Sequence, residues 1–371
     1  MNPPTKTSDK SPPTRYRTGD PELDRLLLEI LDHVRPEQGV DQLWEILVSA
    51  VRLAGDGADR LDLKITNAAL KEMRNAFRIF APYRHIPKVT IFGSARIDAA
   101  NPLYDQARGL ATRLAERGWM VVTGAGPGIM AAGLEGAGRE MSFGVNIRLP
   151  FEQSANEFIA GDEKLISMKY FFTRKLVLLK ESRGFVSLPG GFGTLDETYE
   201  LLTLSQTGKA EPSPIVLLDE PGGTYWKAWL AFVREQVARN HLVDDDDLGL
   251  FLVTDDVDAA CEELVGFYRN FNSIRWVGDR LVIRLEASPT DEELERLNDE
   301  FADVCASGRI ERTDPLAAER ANHDRLDKPR LVLDFDIFRY GRLRALIDAL
   351  NALPSAPVEV RPPPAQPREE E

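Results

Sequence analysis

Strand-like and helix-like segments alternate from residue 87 to about residue 239, and this alternation constrains the fold more than any other feature of the sequence. Apolar runs with the length of buried strands occupy 89–92, 119–122, 143–147, 184–188 and 214–218. Helical patterns occupy about 104–117, a stretch from 128, 171–180, a stretch after 194, and 225–239. Apolar strands that alternate with helices are typical of a parallel sheet covered on both faces. The sequence therefore predicts a Rossmann-like α/β fold, in which ligands bind at the carboxyl ends of the strands.

The regions before and after this core have other patterns. Two apolar stripes at helical spacing and a third helical stretch at 61–80 predict a helical extension. After residue 272 we expect strand 281–285, helix 291–304, strands 309–313 and 331–335, helix 339–350 and strand 358–360, an order that matches a ferredoxin-like βαββαβ unit. The predicted domains are a disordered segment 1–18, the helical extension 19–84, a Rossmann-like domain 85–272, a small α+β domain 273–361 and a disordered tail 362–371.

Composition excludes several classes of protein. The 371 residues are 43% hydrophobic and 29% charged, as in ordinary globular proteins, and the net charge of -14 makes nucleic acid an unexpected main partner. Cys261 and Cys305 are the only cysteines, too few for a disulfide framework or a four-cysteine metal site. We therefore expect the protein to function in the reducing cytoplasm. No apolar run approaches the roughly 20 residues that span a bilayer, and 1–18 lacks a signal-peptide core. We expect neither a metal nor a cofactor.

Three glycine-containing turns follow predicted strands, and the most informative is 188–197, which leads from a strand into a helix. It contains Gly190, Gly191 and Gly193, followed by Thr194 and Glu197. Glycines let the backbone pass close to a ligand, and the free amides and dipole of a helix start favour an anion. A phosphate cradle with an acid one turn into the helix indicates chemistry on a phosphorylated small molecule.

The other two turns strengthen this prediction. Their candidate ligand-binding residues are Gly93 and Ser94 after the first strand, and Gly124, Gly126, Gly128 and Met130 after the second. One glycine-rich turn is weak evidence, whereas three at the carboxyl edge of one sheet are stronger. The spacing fits neither the dinucleotide fingerprint with its following acid nor a P-loop, so a dinucleotide site is not predicted.

Two interpretations stay open for each charged candidate. Arg174 and Lys175 lie in an apolar helix, where they either bind a carboxylate or phosphate or extend their charged ends to solvent. Residues 194–197 also fit the S/T-x-x-E capping box, in which Glu197 only closes a helix start. Met168 and the phenylalanines at 171 and 172 could contact a base or belong to the core.

The run 189–197 fits the PGGxGTxxE signature of the LOG family, which includes cytokinin-activating phosphoribohydrolases and bacterial nucleotide 5'-monophosphate nucleosidases. The turn at 93–94, the loop at 124–130 and the Arg174–Lys175 pair resemble further family motifs, in the same order. The resemblance covers about 87–271 and leaves out both flanking regions, so the chain resembles the longer bacterial-type members. Ala125 departs from the more common Gly-Gly-Gly form of the second loop.

The resemblance implies hydrolysis of the N-glycosidic bond of a nucleoside 5'-monophosphate to a free base and ribose 5-phosphate, with AMP the first substrate to try. It implies catalytic roles for Glu197 and Arg174 and phosphate binding by the glycine loops and Thr194, and it implies a homodimer or higher homo-oligomer. Family members are often labelled lysine decarboxylases. That label has no support here, because pyridoxal chemistry needs a Schiff-base lysine and this sequence has no His-Lys pair.

Two other functions remain open on the sequence. The first is a non-catalytic nucleotide or cofactor binder, either a carrier or a sensor. The second is a DNA-handling protein, against which the acidic balance argues. Tight binding without turnover would indicate the first, and a gel shift would indicate the second.

Overall fold

The computed structural model describes residues 12–148 and 155–360, and the chain divides into two compact units at Lys71 and Glu72. The helices of the first unit are α1 (Pro21–Val34), α2 (Val40–Gly55) and the beginning of α3 (Arg60–Phe80), inside which the division falls. The bounds of α3 agree with the helical stretch predicted at 61–80.

The first unit has a small core of its own, formed by Leu27, Leu31, Trp44 and Val48. The Trp44 indole Nε1 donates a hydrogen bond of 2.7 Å to the carbonyl of Tyr16. Of the segment predicted to be disordered, 1–11 lies outside the described residues, and 12–18 lies in no helix or strand. The tail 362–371 also lies outside the described residues.

The second unit contains a seven-stranded parallel sheet. Its strands are β1 (Lys88–Phe92), β2 (Met120–Thr123), β3 (Ser142–Ile147), β4 (Leu165–Met168), β5 (Gly184–Ser187), β6 (Ile215–Leu218) and β7 (Leu252–Thr254). The helices around it are α4 (Pro102–Glu116), α5 (Ile129–Ala137), α6 (Phe171–Lys180), α7 (Phe192–Gln206), α8 (Tyr225–Phe232) and α9 (Val257–Gly266). The strand order is β4-β3-β2-β1-β5-β6-β7, and all pairs are parallel.

This sheet confirms the predicted Rossmann-like fold. The central strands β1, β2, β5 and β6 are buried along their whole length. The chain leaves β1 towards β2 on one side and returns to β5 on the other, so β1 lies at the topological switch point. In open α/β sheets the ligand crevice lies at the carboxyl ends of the strands beside that point, where the loops after β1, β2 and β5 meet.

The C-terminal part of the second unit forms a four-stranded antiparallel sheet. Its elements are β8 (Phe271–Val277), β9 (Arg280–Leu285), α10 (Asp291–Glu300), β10 (Cys305–Arg312), α11 (Ala317–Ala321), β11 (Arg330–Phe335) and α12 (Tyr340–Asn351), and the strand order is β10-β11-β9-β8. Side chains from both sheets belong to one hydrophobic cluster, which includes Val89 of β1 and Ile283 of β9.

The predicted last strand at 358–360 is wrong. Those residues lie in no strand, and β8 fills the edge of the sheet beside β9 instead. The edge position beside β9 is therefore taken by the first strand of this sheet, β8, where the sequence predicted the last one. A two-residue turn at Gly278 and Asp279 joins β8 to β9, and the positive φ of Gly278 suits such hairpins. No helix in the described part of the chain is long and apolar enough to cross a bilayer.

Candidate active site

The loops after β1 and β2 are held together by backbone contacts. The amide of Ile129, the first residue of α5, donates to the carbonyl of Ser94 at 3.1 Å. Gly128 has a φ of +67°, and a Cβ at that position would overlap the Ser94 carbonyl oxygen. Only glycine satisfies both the left-handed backbone and the close approach. The turn at Gly93 and Ser94 and the loop at 124–128 therefore form one continuous wall of the crevice.

Arg174 crosses from α6 to the end of β3 and the second loop. Its Nε donates to the carbonyl of Val145 at 3.0 Å. A Cβ at Gly124 would overlap the Nη2 of Arg174 and lie 2.7 Å from the Sδ of Met130. The guanidinium is thus anchored against the glycine loop instead of extending to solvent, and the partner that this contact gives it is a backbone carbonyl. Met130 also packs over Gly126, where its Cε would lie 2.6 Å from an added Cβ.

Lys175 has carboxylates as its neighbours. Its Nζ lies 2.7 Å from Asp196, 2.5 Å from Glu200 and 3.9 Å from the Oε2 of Glu197, and 12% of its side chain is exposed. Burial lowers the pKa of the Lys175 ammonium, but its hydrogen bonds to Asp196 and Glu200 outweigh burial and raise it. The lysine therefore ties α6 to α7 and places a positive charge next to Glu197.

Glu197 is not part of a capping box. Helix α7 begins at Phe192 with Gly191 as its N-cap, so Thr194 is the third helical residue, and among the described residues no side chain caps this helix. The buried Thr194 carbonyl accepts a hydrogen bond from the Thr198 hydroxyl. The capping-box interpretation of 194–197 is therefore wrong, and a role of Glu197 in the reaction stays a prediction.

The Glu197 carboxyl is largely buried, and nearby groups offset the cost of that burial only in part. Its side chain is 12% exposed, and its Oε2 has no hydrogen-bond partner within 12–148 and 155–360. Burial raises the pKa of Glu197 to about 7, while the charges of Lys175 and Arg174 oppose this rise and those of Asp196 and Glu200 add to it. A carboxyl with a pKa near the working pH can both accept and return a proton, as general acid–base catalysis requires.

The third loop is fixed at Gly190 and open at its next two glycines. The hydroxyl of Tyr225, on α8, donates to the carbonyl of Gly190 at 2.7 Å, and a Cβ on Gly190 would overlap the Oγ1 of Thr194. At Gly191 and Gly193 an added Cβ would meet no described atom within 4 Å. The start of α7 is therefore open on the side of these two glycines, and residues 191–193 are exposed.

Two contacts at this edge could not be predicted from the sequence. Residues 221–224 indicate only a turn before α8, and nothing in the sequence shows that Tyr225 reaches across to the loop after β5. The Asn156 side chain donates to the carbonyl of Gly126 at 2.9 Å, and its backbone amide donates to Ala125. Pairs this far apart in sequence leave no local pattern.

The three residues that could contact a base differ in how far they are buried. Met168 is completely buried in a core cluster with Phe92 and Phe143. Phe171 and Phe172 are more than half exposed. No group of three or more His, Cys, Asp or Glu side chains within the described residues could hold a metal ion.

The chain is similar to known proteins over its central part. A family model described as "Possible lysine decarboxylase" matches residues 125–264. A probable cytokinin riboside 5'-monophosphate phosphoribohydrolase from Arabidopsis thaliana is 32% identical over 143 residues, which are 38% of this chain and 68% of that protein. A cytokinin riboside 5'-monophosphate phosphoribohydrolase from Mycobacterium marinum is 27% identical over 164 residues, 43% of this chain and 84% of that protein.

A solved structure gives a more distant match. The molybdenum cofactor carrier protein of Chlamydomonas reinhardtii has a TM-score of 0.34 and 22% identity, with 47% of this chain and 94% of that chain covered. A likeness this remote has no bearing on function. The family match, in contrast, contains the second glycine loop from residue 125 onward, the third glycine loop, Arg174 and Glu197.

Proposed function

This chain belongs to the LOG family of phosphoribohydrolases, and we propose that it hydrolyses the N-glycosidic bond of a nucleoside 5'-monophosphate to a free base and ribose 5-phosphate. AMP is the first substrate to test. The observation that supports this proposal most is the Glu197 carboxyl, which is buried, has a pKa of about 7 and lies one turn inside a helix whose start is open.

The open start of α7 is the proposed phosphate site. The first amides of a helix have no partner within the helix, and the helix dipole favours an anion there. Gly191 and Gly193 leave room for phosphate oxygens to approach these amides, and Thr194 adds a hydroxyl. Anchoring the phosphate fixes the sugar at a set distance from Glu197, and such positioning lowers the barrier.

The proposed reaction uses Glu197 in its ionised form. As the bond between C1' and the base nitrogen breaks, positive charge develops on the sugar, and a carboxylate stabilises it. A water attacks C1', its proton passes to Glu197, and the same proton is then returned to the leaving base. Arg174, anchored at Val145, orients the ribose or the carboxylate.

A lysine decarboxylase activity is not proposed. Pyridoxal chemistry requires a lysine amine that can form a Schiff base. Lys175, the lysine beside Glu197, is paired with Asp196 and Glu200 and keeps its proton. Pairing with these two carboxylates therefore argues against Lys175 as a Schiff-base lysine.

The resemblance implies a homodimer or higher homo-oligomer, and we also propose that α6 and α7 form its interface. Phe171, Phe172 and Leu176 are exposed and line a groove of about 1200 Å³ together with Leu201 and Leu204 of α7. Sedimentation of the purified chain tests this proposal. A species of 41.5 kDa at all concentrations would contradict it.

The function is tested by incubating the protein with AMP, GMP, CMP and UMP in turn and measuring free base and ribose 5-phosphate by chromatography. We expect release of adenine from AMP and no release by Glu197→Gln. Failure to cleave any of these nucleotides would contradict the proposal. Tight binding of AMP without product would favour a nucleotide carrier or sensor instead.

A further inference from the structure

A carboxylate on α3 occupies the start of α6, the helix that carries Arg174. Glu72 lies outside the residues matched by the family model, which begin at 125. Its Oε1 accepts a hydrogen bond of 2.8 Å from the backbone amide of Lys169, and its Oε2 accepts one of 2.7 Å from the hydroxyl of Thr173. Both oxygens of one side chain are therefore used at a single helix start.

Glu72 fixes the two sides of the N-cap of α6. The N-cap is Tyr170, whose own side chain makes no capping hydrogen bond. Glu72 holds the residue before it, Lys169, by the backbone amide and the third helical residue, Thr173, by the hydroxyl. Its negative charge also lies near the positive end of the helix dipole, which is favourable.

The position of Arg174 follows from that first turn. Arg174 comes directly after Thr173, whose hydroxyl lies within hydrogen-bond distance of two acceptors, Glu72 Oε2 at 2.7 Å and the carbonyl of Tyr170 at 2.9 Å, that share its one hydrogen. The guanidinium then spans to the Val145 carbonyl and packs against Gly124. A small displacement of the first turn of α6 moves the base of this side chain while its tip is held by β3 and the glycine loop.

We propose that Glu72 is a positioning residue that sets the first turn of α6 and, through it, the guanidinium of Arg174. It gives the part of α3 that belongs to the second unit a role in the reaction. The kinetic part of the inference rests on the proposed function. The structural part, that Glu72 controls Arg174, does not.

The test compares wild type with Glu72→Ala, Glu72→Gln and a control, Asp256→Ala. Asp256 caps α9 after the edge strand β7 with two hydrogen bonds, so its loss removes a helix cap of similar size away from Arg174. Two quantities are measured: kcat and KM for AMP, and the ¹⁵N–¹H resonance of the Arg174 Nε, identified by its disappearance in Arg174→Lys.

We expect Glu72→Ala to lower kcat/KM by about tenfold or more, because small misplacements of a catalytic group are costly. Glu72→Gln, which keeps an acceptor oxygen, should recover part of the loss. Asp256→Ala should lower the thermal midpoint to a similar extent and leave kcat/KM unchanged. In an Arg174→Ala background, Glu72→Ala should cause no further loss, as expected for residues that act as a unit.

The Arg174 resonance separates the two proposals. It should shift and exchange faster with solvent in Glu72→Ala and stay in place in Asp256→Ala. A wild type that cleaves no nucleotide would contradict the proposed function, and this resonance would still decide the role of Glu72. An unchanged resonance in both Glu72 variants, or an equal loss of kcat/KM in Asp256→Ala, would overturn the inference.

Discussion

The two sheet regions each bury a glutamate, and the surroundings of the two side chains are opposite. Glu319, beside the four-stranded sheet, is completely buried and accepts hydrogen bonds from Arg284 at 2.8 Å and 3.0 Å and from the amide of Leu316 at 2.9 Å. Arg330 lies 2.7 Å from the same carboxyl. Glu197, at the edge of the parallel sheet, has a buried oxygen with no hydrogen bond from the described residues.

The pKa values diverge accordingly. Burial alone would raise both, but at Glu319 the hydrogen bonds from Leu316 and the two arginines outweigh burial and lower the pKa. At Glu197 burial prevails and the pKa rises to about 7. A buried acid surrounded by donors is a fixed ion that holds the fold together, whereas one left short of donors remains able to exchange protons. This difference supports Glu197 as the reactive group.

The largest expected effect is a difference in the free energy of unfolding between variants of the two glutamates. Glu319→Gln leaves the buried charge of Arg330 without its carboxylate and leaves Arg284 with Asp324 alone, and we expect a loss of about 3–5 kcal/mol in the free energy of unfolding. Glu197→Gln should lose none at pH 8. Urea unfolding of both variants measures this. Equal losses would remove the contrast between the two sites.

The next effect is the pH dependence of the same free energies. The pKa of Glu197 is about 7 in the folded state against 4.5 for the free side chain, so the folded protein binds more protons between these values and its stability falls as the pH rises. Wild type should therefore be less stable than Glu197→Gln at pH 8 by on the order of 3 kcal/mol, and the difference should vanish below about pH 4.5.

The contribution of Glu319 to stability changes with pH in the opposite direction, because its pKa is lowered on folding. Its contribution is present above the unfolded pKa and is lost as the pH falls through the folded value. The deficit of Glu319→Gln should accordingly shrink in acid. Urea unfolding at pH 4 and pH 8 distinguishes the two behaviours, and a common pH trend would contradict both assignments.

A smaller effect concerns the third glycine loop, where we expect stability and activity to change in opposite directions. A methyl group at Gly193 meets no described atom within 4 Å, so Gly193→Ala should stabilise α7 by about 0.5 kcal/mol or more through helix propensity. The same methyl should raise KM for AMP by about tenfold, the equivalent of one lost phosphate contact.

Gly190→Ala is the matched control for that change. Its Cβ would overlap Thr194, so it should lower stability as well as activity. Thermal unfolding and steady-state kinetics on the two variants provide the check. If Gly193→Ala left KM unchanged, the start of α7 would not be the phosphate site.

The smallest effects are opposite shifts of the pH–rate profile. The charge of Lys175 lowers the pKa of Glu197 and that of Glu200 raises it. If ionised Glu197 is the active form, kcat/KM should rise with pH around 7, and the midpoint should move up in Lys175→Met and down in Glu200→Gln. Shifts in the same direction would show that another group controls the profile.

The sequence predicts the parallel sheet because its central strands are apolar throughout and are separated by helical patterns. It does not predict β4 or β7, which have only four and three residues and are partly exposed. The predicted strand at 358–360 is wrong because the edge beside β9 is taken by β8, which a two-residue turn at 278–279 brings back along the sheet.

The site is predictable only in part, for a similar reason. Glycine turns at strand ends are local patterns, so the sequence brings the three loops to one edge of the sheet. The sequence does not decide whether Glu197 belongs to a capping box, because spacing alone does not say where α7 begins. The contacts of Glu72 with α6 and of Tyr225 with Gly190 join residues far apart in sequence, and only the tertiary fold reveals them.

The central claim is that the Glu197 carboxyl stays short of hydrogen bonds in the folded protein and titrates near neutral pH. ¹³C NMR of protein labelled at the glutamate carboxyl carbon measures this directly, with the Glu197 signal identified by its absence in Glu197→Gln. The account predicts a midpoint of about 7. A midpoint at or below 4.5, the ordinary value for glutamate, would contradict it.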